Sequence, residues 1–182
     1  RMLSINDAHI YCTKEQIGPE IESVIKMTQE YFKIFGFNNY SFRLSKWDPK
    51  NKEKYIDEPE NWKYAETELR KVLKKLNCNF TEADNEAAFY GPKIDVQLKT
   101  VTGREESIST IQLDFMAKKR FGFKYFDKDN KARDDVFVIH WAPLSTHERL
   151  VAYLIEHYAG NFPAWLNPTQ VIIVSVKDSN IK

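Results

Sequence analysis

Two segments in the middle of the chain alternate apolar and polar residues with a period of two. In residues 93–99 every second side chain is apolar, and the predicted strand 104–115 repeats the pattern at Ile111, Leu113 and Phe115. Successive side chains of a strand point to opposite faces, so this alternation predicts strands with one apolar and one polar face. The chain must therefore form a sheet that buries one face and carries polar groups on the other.

Helical periodicity on both sides of these strands predicts the covering layer. A T-x-x-Q capping box at Thr13 and Gln16 opens a helix that ends at Gly36, and two more apolar stripes follow at helical spacing. The predicted helices are 16–36, 62–76 and 150–158, and the remaining predicted strands are Ala8–Cys12, Tyr40–Leu44, Phe123–Phe126, Val136–His140 and Val171–Val176. This order predicts an α+β fold, an antiparallel sheet flanked by helices, whose polar face is the floor of a cleft.

Size and charge limit the classes of protein to consider. A chain of 182 residues holds one full core, or one domain and part of another. The formal charge of +1 argues against binding nucleic acid by bulk positive charge, so any RNA contact must be local. The sequence has two cysteines, Cys12 and Cys78, whose spacing suggests no pairing, and it shows no signal peptide and no long apolar span. These features predict a cytoplasmic protein without a membrane segment.

Residues 134–150 carry the most unusual chemistry. An apolar strand ends in His140, and Arg149 follows in the first turns of the next helix, where the helix dipole disfavours a cation. Ser145 to Glu148 reads as an S-x-x-E capping box, which accounts for those two residues but not for Arg149. Arg149 is either a structural residue or part of an anion site at the helix N-terminus.

Other polar residues have both a structural and a functional interpretation. His9 shares a strand face with Asp7, and with His140 it could supply two imidazoles to one metal. Each histidine alone is more often structural, and spacing offers no third ligand. The turn at Tyr90 to Lys93 is explained by turn chemistry alone, with the lysine in solvent.

Four separated segments resemble the threonyl-tRNA synthetases, a family of class II aminoacyl-tRNA synthetases. They are residues 6–12 (NDAHIYC), 88–95 (AFYGPKID), 110–115 (TIQLDF) and 139–149 (IHWAPLSTHER). Residues 162–171 are also similar to that family's passage from the catalytic domain into the anticodon-binding domain. The resemblance extends over nearly the whole chain.

The resemblance implies a fold, an activity and a set of site residues. It implies an incomplete class II catalytic domain that activates threonine with ATP and Mg²⁺ and transfers it to tRNA(Thr), as a homodimer in the complete protein. It matches His9 and His140 to two of three zinc ligands and Asp7 to the acid that receives the threonine hydroxyl. The other matches are Tyr90, Lys93 and Gln112 to the amino-acid pocket, Gln112 and Arg149 to the ATP site, and Arg149 to the catalytic arginine of motif 3.

The resemblance also implies what this chain lacks. Residues 1–167 would be the later part of the catalytic domain and 168–182 the start of the anticodon-binding domain. Motif 1, the first half of motif 2 and the third zinc ligand would precede Arg1, so the chain alone is expected to be inactive. Leu3, Ile5 and Ser145 differ from the family's usual residues, as do 104–109. An alternative is therefore a synthetase-like binding or regulatory module that has lost amino-acid activation.

Overall fold

A six-stranded sheet forms the centre of the structure, a computed structural model that describes residues 2–177. Its strands are β1 (Ala8–Cys12), β2 (Tyr40–Ser45), β3 (Phe80–Ala83), β4 (Lys93–Lys99), β5 (Glu105–Asp114) and β8 (Phe137–Ala142). Two short strands, β6 (Tyr125–Phe126) and β7 (Ala132–Arg133), pair separately. The helices are α1 (Ile17–Ile34), α2 (Pro59–Lys75), α3 (Ala117–Phe121) and α4 (His147–Tyr158), and a 3₁₀ turn, Lys14–Gln16, precedes α1.

The strands lie in the order β1-β8-β5-β4-β2-β3. Every neighbouring pair is antiparallel except β2 and β3 at one edge, which are parallel. The predicted α+β fold with a mainly antiparallel sheet is therefore confirmed. Strand β3, which the sequence pattern did not reveal, is a short edge strand whose residues are half-buried or exposed.

Local sequence explains where the first long helix begins and ends. The backbone N–H of Thr13 donates to the Gln16 side chain at 2.9 Å, which completes the predicted capping box. Gly36 adopts a φ of +70°, a left-handed conformation that glycine takes without a steric penalty, and it follows the last turn of α1. Between these ends the helix buries a stripe that consists of Ile17, Ile21, Val24, Ile25, Thr28 and Phe32.

The core lies between the helices and one face of the sheet. Helices α1 and α2 contribute Ile21, Phe32 and Trp62, and the facing strands contribute alternate residues such as Ile94 and Ile111, all of them fully buried. The opposite sheet face carries the residues of the other parity. This division is the one that the alternating pattern of 93–99 and 111–115 predicts, and it leaves the polar face to form the site.

Two predicted strands differ from the structure. Val171–Val176 is irregular, and its apolar side chains are exposed, because no neighbouring strand in residues 2–177 supplies the hydrogen bonds that a strand needs. The predicted strand Phe123–Phe126 is reduced to the two residues of β6. Part of the predicted second domain, residues 178–182, lies outside the described residues, as does Arg1.

Within residues 2–177, no helix combines the length and the apolar character that crossing a bilayer requires. Cys12 is buried and Cys78 half-buried, and both are free thiols. Burial raises the pKa of each thiol to about 11, so both stay protonated at neutral pH.

Candidate functional site

Four predicted site residues form one row across the polar face of the sheet. Lys93 on β4 pairs with Gln112 on β5, Gln112 pairs with His140 on β8, and His140 pairs with His9 on β1. Residues that pair directly across antiparallel strands lie on the same face, about 4.5–5.5 Å apart at their Cα atoms. The row therefore brings together side chains that are more than a hundred residues apart in the chain.

The two histidines at the end of the row are in contact. Their ring centroids lie 4.8 Å apart, and the rings are nearly perpendicular, at 83°. Asp7 lies just before β1, two residues before His9, and its Oδ2 lies 3.8 Å from His9 Nε2. The imidazole of His9 is thus between an acid just before its own strand and a second imidazole on the neighbouring strand.

Asp114 orients His140. The Oδ2 atom of Asp114 lies 3.0 Å from His140 Nε2, within hydrogen-bond distance. The other carboxylate oxygen accepts hydrogen bonds from the backbone N–H groups of Met116 and Ala117, at 2.7 and 2.8 Å. Because both oxygens are engaged, the carboxylate connects the start of α3 to the ring of His140 and restricts how that ring can rotate.

The turn before β4 places Tyr90 over the row. The Tyr90 hydroxyl donates a hydrogen bond to the side-chain carbonyl of Gln112, and its ring lies 5.5 Å from that of His140. Burial, followed by the negative charges of Asp114 and Asp7, raises the pKa of Tyr90. The phenol therefore remains a neutral donor at physiological pH.

Gly91 permits the close approach of this turn to β5. A Cβ at this position would lie 1.8 Å from the backbone oxygen of Leu113, closer than any side chain allows. The backbone of the turn also pairs with β5, since Leu113 N–H donates to Pro92 at 3.0 Å and Phe115 N–H donates to Tyr90 at 3.4 Å. The close approach to β5 thus explains the glycine, and the turn fixes Tyr90 beside the row.

Lys93 is held by a buried acid and is not free in solvent. Its Nζ lies 2.9 Å from Asp95 Oδ2, and only 2% of the Asp95 side chain is exposed. Asp95 also accepts from Arg43 at 3.2 Å, Ser45 at 3.2 Å and Thr110 at 3.3 Å. A buried carboxylate needs such partners, and this network fixes the lysine at one end of the row.

Arg149 is placed apart from the row. It lies in the first turn of α4, and its guanidinium contacts Glu106 Oε2 at 2.8 Å and Ser145 Oγ at 3.4 Å. It lines a cavity with Glu106, Tyr153 and other residues, whereas the two histidines line a different cleft. The structure therefore brings together Asp7, His9, Tyr90, Lys93, Gln112 and His140, but it does not bring Arg149 into contact with them.

The cap of α4 differs from the prediction by one residue. Thr146, not Ser145, is the N-cap, and its hydroxyl accepts from the Arg149 backbone N–H at 3.2 Å. Ser145 has a φ of +58°, a left-handed conformation that favours glycine. Glu148 instead accepts from the backbone N–H of Ser4 at 3.3 Å, which ties the start of the described chain to α4.

The histidine pair fits part of a metal site. Imidazole is a preferred zinc ligand, and a carboxylate such as Asp114 on the second ring nitrogen is the usual partner of a ligating histidine. In residues 2–177, however, no group of three or more His, Cys, Asp or Glu side chains has the geometry to hold a metal ion. His9 and His140 therefore fit two positions of a zinc site. The remaining ligands would have to come from other groups.

Sequence reasoning missed three partners of the site. Asp95 lies two residues after Lys93 on the same strand face, so the period of two could have revealed it. Arg43 and Glu106 gave no such signal, because their contacts depend on strand register and on the placement of α4. Asp114 belongs to the segment 110–115 that carries the resemblance, but its bond to His140 required the β5–β8 register.

Comparison with known proteins identifies the class to which this fold and polar sheet face correspond. The family model described as the tRNA synthetase class II core domain (G, H, P, S and T) matches residues 1–158. The chain belongs to this family of class II synthetase core domains, which confirms the class that the sequence motifs indicated.

Individual relatives narrow the resemblance within that class. The threonine–tRNA ligase of Acholeplasma laidlawii is 47% identical over 176 residues, which are 97% of this chain and 27% of the relative. A solved structure of the RNA binding domain of threonyl-tRNA synthetase from Cryptosporidium parvum Iowa II has a TM-score of 0.81 at 36% identity and covers 90% of this chain and 40% of that chain. A putative threonyl-tRNA synthetase from Aeropyrum pernix has a TM-score of 0.69 at 26% identity, with 86% and 36% covered. The chain thus spans about a quarter of the length of the curated relatives that it matches.

Proposed function

We propose that this chain forms the amino-acid pocket and part of the ATP site of a threonine–tRNA ligase. The row Lys93, Gln112, His140 and His9 carries the proposal, because it collects on one sheet face the residues matched to the threonine pocket. The relatives named threonine–tRNA ligase support the same substrate.

The amino-acid end of the pocket suits threonine. The Asp7 carboxylate would accept a hydrogen bond from the threonine hydroxyl, and Tyr90 with Gln112 would bound the side chain. His9 and His140 would hold a zinc ion together with a third ligand from outside this chain. Bound zinc supplies a Lewis acid for the amino and hydroxyl groups of threonine, which the isosteric valine cannot match.

Activation requires charge stabilisation and positioning more than proton transfer. Formation of threonyl-adenylate from Mg²⁺-ATP places negative charge on the phosphoryl oxygens, and a positioned guanidinium stabilises it. Arg149 would serve as this group once its contact with Glu106 is exchanged for phosphate. Gln112 would contribute to both the amino-acid and the ATP sites, and Lys93 would add positive charge at the far end of the row.

The remaining parts of the proposal concern the whole protein. Its partners would be tRNA(Thr), threonine and ATP, and it would act in the cytoplasm as a homodimer. Residues 1–167 would belong to the catalytic domain and 168–182 to the start of an anticodon-binding domain. Because the chain corresponds to 27% of its relatives, it is expected to be nearly inactive by itself.

A chimera tests the proposal. This chain would replace the matching segment of the Acholeplasma laidlawii relative, and threonine-dependent exchange of pyrophosphate into ATP would be measured. We expect exchange far above that of the isolated chain, loss of exchange in the His9→Ala and His140→Ala chimeras, and retention in His147→Ala, an exposed histidine outside the row. A folded chimera without exchange would refute the proposal.

A second candidate function rests on Arg149. Its guanidinium is paired with Glu106 and faces a cavity other than the histidine cleft, an arrangement that suits a module without activation chemistry. If this alternative holds, the chimera would bind threonine, as measured by calorimetry, but would not exchange pyrophosphate into ATP. An active chimera excludes this alternative.

A further inference from the structure

A second row of side chains lies beside the first on the polar face of the sheet. Arg43 on β2 pairs with Asp95 on β4, and Asp95 pairs with Thr110 on β5. Asp95 is two residues after Lys93 on the same strand, so the two rows share one face. Arg43 thus lies one row away from the candidate pocket, and no part of the proposed function uses it.

A single carboxylate joins the two rows. Asp95 Oδ2 lies 2.9 Å from Lys93 Nζ and 3.2 Å from Arg43 Nη2, and only 2% of the Asp95 side chain is exposed. The other oxygen, Oδ1, lies 3.3 Å from Lys93 Nζ and accepts a hydrogen bond from the Thr110 hydroxyl at 3.3 Å. One buried negative charge therefore serves two cations, and one of these cations, Lys93, belongs to the pocket.

Arg43 shares this carboxylate with Lys93 and does not enclose it. A bidentate arginine donates to both oxygens of a carboxylate, whereas Arg43 reaches only Asp95 Oδ2, through one nitrogen. Its Nε atom is buried and forms no hydrogen bond with the residues that the structure describes. The single contact leaves the other oxygen of Asp95 to Lys93 and Thr110.

The other acid beside Arg43 neutralises it only weakly. Arg43 Nη1 lies 3.4 Å from Glu86 Oε2, but 49% of the Glu86 side chain is exposed, and water screens such a pair. Asp95 is buried, so its interaction with Arg43 is screened much less. The positive charge of Arg43 therefore acts mainly on Asp95.

The ammonium of Lys93 can bind an anion in addition to Asp95. A lysine has three N–H donors, and Asp95 is the one acid within ion-pair distance of Lys93 in residues 2–177. The Lys93 side chain is 22% exposed, and its neighbour in the first row, Gln112, contacts Tyr90 of the pocket. Lys93 can thus keep its bond to Asp95 and present a further donor to a ligand.

We propose that Arg43 is a positioning residue of the pocket, which shares Asp95 with Lys93 so that Lys93 keeps a net positive charge for an anionic group of the substrate. Without Arg43, the full charge of Asp95 would act on Lys93, and the pair would be neutral. A neutral pair attracts a carboxylate or a phosphate less strongly. The proposal rests on the proposed function, which brings an amino acid and ATP to the row.

A purely structural role for Arg43 predicts a different result. If Arg43 only neutralised a buried acid, its loss would lower stability and leave the ligand affinity of the folded protein unchanged. If Arg43 shares the acid with Lys93, its loss must lower ligand affinity, and the loss must depend on the charge of Asp95. Substitutions at Arg43 and Asp95, made singly and together, separate the two roles.

The chimera described above, with these substitutions, tests the proposal. We expect Arg43→Gln to weaken the ligand that meets Lys93 about 5- to 20-fold, and Arg43→Lys, which keeps the charge, to restore most of the affinity. When Asp95→Asn is also present, Arg43→Gln should weaken this ligand less than about twofold, since no carboxylate then neutralises Lys93. Calorimetry measures threonine affinity, and pyrophosphate exchange gives the KM for ATP.

Arg70→Gln is the matched control. Arg70 resembles Arg43 in exposure, at 28% against 32% of the side chain, and it also pairs with an acid, Glu82, that is not part of either row. Its substitution removes the same charge and an ion pair. It should leave the affinity for threonine and the KM for ATP unchanged.

The ligand that weakens identifies the anionic group. A loss for threonine that is absent for L-threoninol, which lacks the carboxylate, would show that Lys93 meets the carboxylate. A rise in the KM for ATP alone would show that Lys93 meets a phosphate. Either result supports the shared acid, because both require a charge on Lys93 that depends on Arg43.

The chemical reactivity of Lys93 provides a readout that is independent of ligands. Acylation of its Nζ by acetic anhydride, followed by mass spectrometry, should be at least about threefold slower in the Arg43→Gln chimera. The reason is that an ammonium that has Asp95 to itself releases its proton less readily, and only the free amine reacts. Arg70→Gln should leave the rate unchanged.

Two results would overturn the proposal. One is a folded Arg43→Gln chimera with full affinity for both ligands and an unchanged acylation rate. The other is a loss of affinity that persists undiminished when Asp95→Asn is present. Circular dichroism establishes the folded state of each variant.

Failure of this inference is distinguishable from failure of the proposed function. An active chimera that is indifferent to Arg43→Gln would refute only the positioning role. A folded chimera that binds neither threonine nor ATP would refute the proposed function, and the acylation rate would still test whether Arg43 shares Asp95 with Lys93.

Discussion

His9 lies directly opposite His140 in the β1–β8 pair, and the two imidazoles meet edge to face with centroids 4.8 Å apart. Strand pairing fixes the Cα positions of both residues, and Asp114 and Asp7 approach the rings from either side. The fold thus holds the two imidazoles in position to act together.

Zinc binding should depend on both histidines. We expect calorimetric titration of the chimera with Zn²⁺ to show binding that His9→Ala and His140→Ala each weaken by more than about tenfold. Asp114→Asn should weaken it about 10- to 100-fold by releasing the His140 ring. His147→Ala is the control, and equal zinc affinity in all variants would contradict the assignment.

Asp95→Asn should destabilise the fold. It removes a buried charge that holds Lys93 and Arg43, and breaking such an arrangement costs about 3 kcal/mol. Urea unfolding gives the free-energy change. The matched variant Asp84→Asn, at a side chain that is 79% exposed and paired with Lys46, should cost less than about 1 kcal/mol. Similar losses for both variants would show that Asp95 is not the centre of a buried network.

Gly91→Ala should displace the turn that carries Tyr90. The new Cβ would meet the Leu113 oxygen at 1.8 Å, so either the turn or β5 must move, at about 2–4 kcal/mol in unfolding free energy. Gly18→Ala in α1 is the contrasting control, because its Cβ would meet the nearest atom at 3.6 Å and alanine favours a helix. We expect Gly91→Ala to lower the free energy of unfolding and Gly18→Ala to raise it. A Gly91→Ala protein of unchanged stability would disprove the close approach.

Acid should destabilise the protein partly through Glu82. Arg70 and then Lys46 lower the pKa of Glu82 from 4.5 to about 2. A lowered folded-state pKa gives stability that is present above pH 4.5 and is lost as the pH falls towards 2. Glu82→Gln should therefore lower stability at pH 7 and flatten its decline between about pH 5 and 2. The control is Glu30→Gln, which removes the same charge at an exposed position. Parallel curves of stability against pH for Glu82→Gln and the unsubstituted chain would argue against the lowered pKa of Glu82.

Glu106→Gln should strengthen nucleotide binding in the chimera. Glu106 neutralises Arg149 at 2.8 Å, and both side chains are about half exposed, so the pair is weak and exchangeable. We expect ATP affinity to rise about two- to fivefold, measured by calorimetry. The control is Glu105→Gln, which removes the same charge one residue away. An unchanged or lower affinity for Glu106→Gln alone would indicate that Arg149 does not receive phosphate.

Much of the fold could be predicted from local pattern. The period of two in 93–99 and 111–115, the capping box at Thr13 and the helical stripe of α1 each depend on residues close in sequence. The short edge strand β3 was missed because edge strands bury too little to show alternation. The apolar run 171–176 predicted a strand wrongly, since a strand also requires a partner that no local pattern reveals.

The candidate site, like the fold, could be predicted from the sequence only in part. Motifs alone singled out Asp7, His9, Tyr90, Gln112 and His140 as candidates, and the period of two placed Asp7 on the face of His9. The motifs matched Lys93 to the pocket as well, although turn chemistry alone put it in solvent, and the structure pairs it with the buried Asp95. They also shifted the α4 cap by one residue, because a positive φ at Ser145 is a property of the folded backbone.

The sequence by itself determined the types of element, the polar sheet face and the identity of the reactive side chains, because periodicity and capping act over a few residues. Only the tertiary structure decided that Lys93, Gln112, His140 and His9 share one row and that Arg149 pairs with Glu106. Strand order and register set these relationships, and both depend on how distant strands bury their apolar faces together.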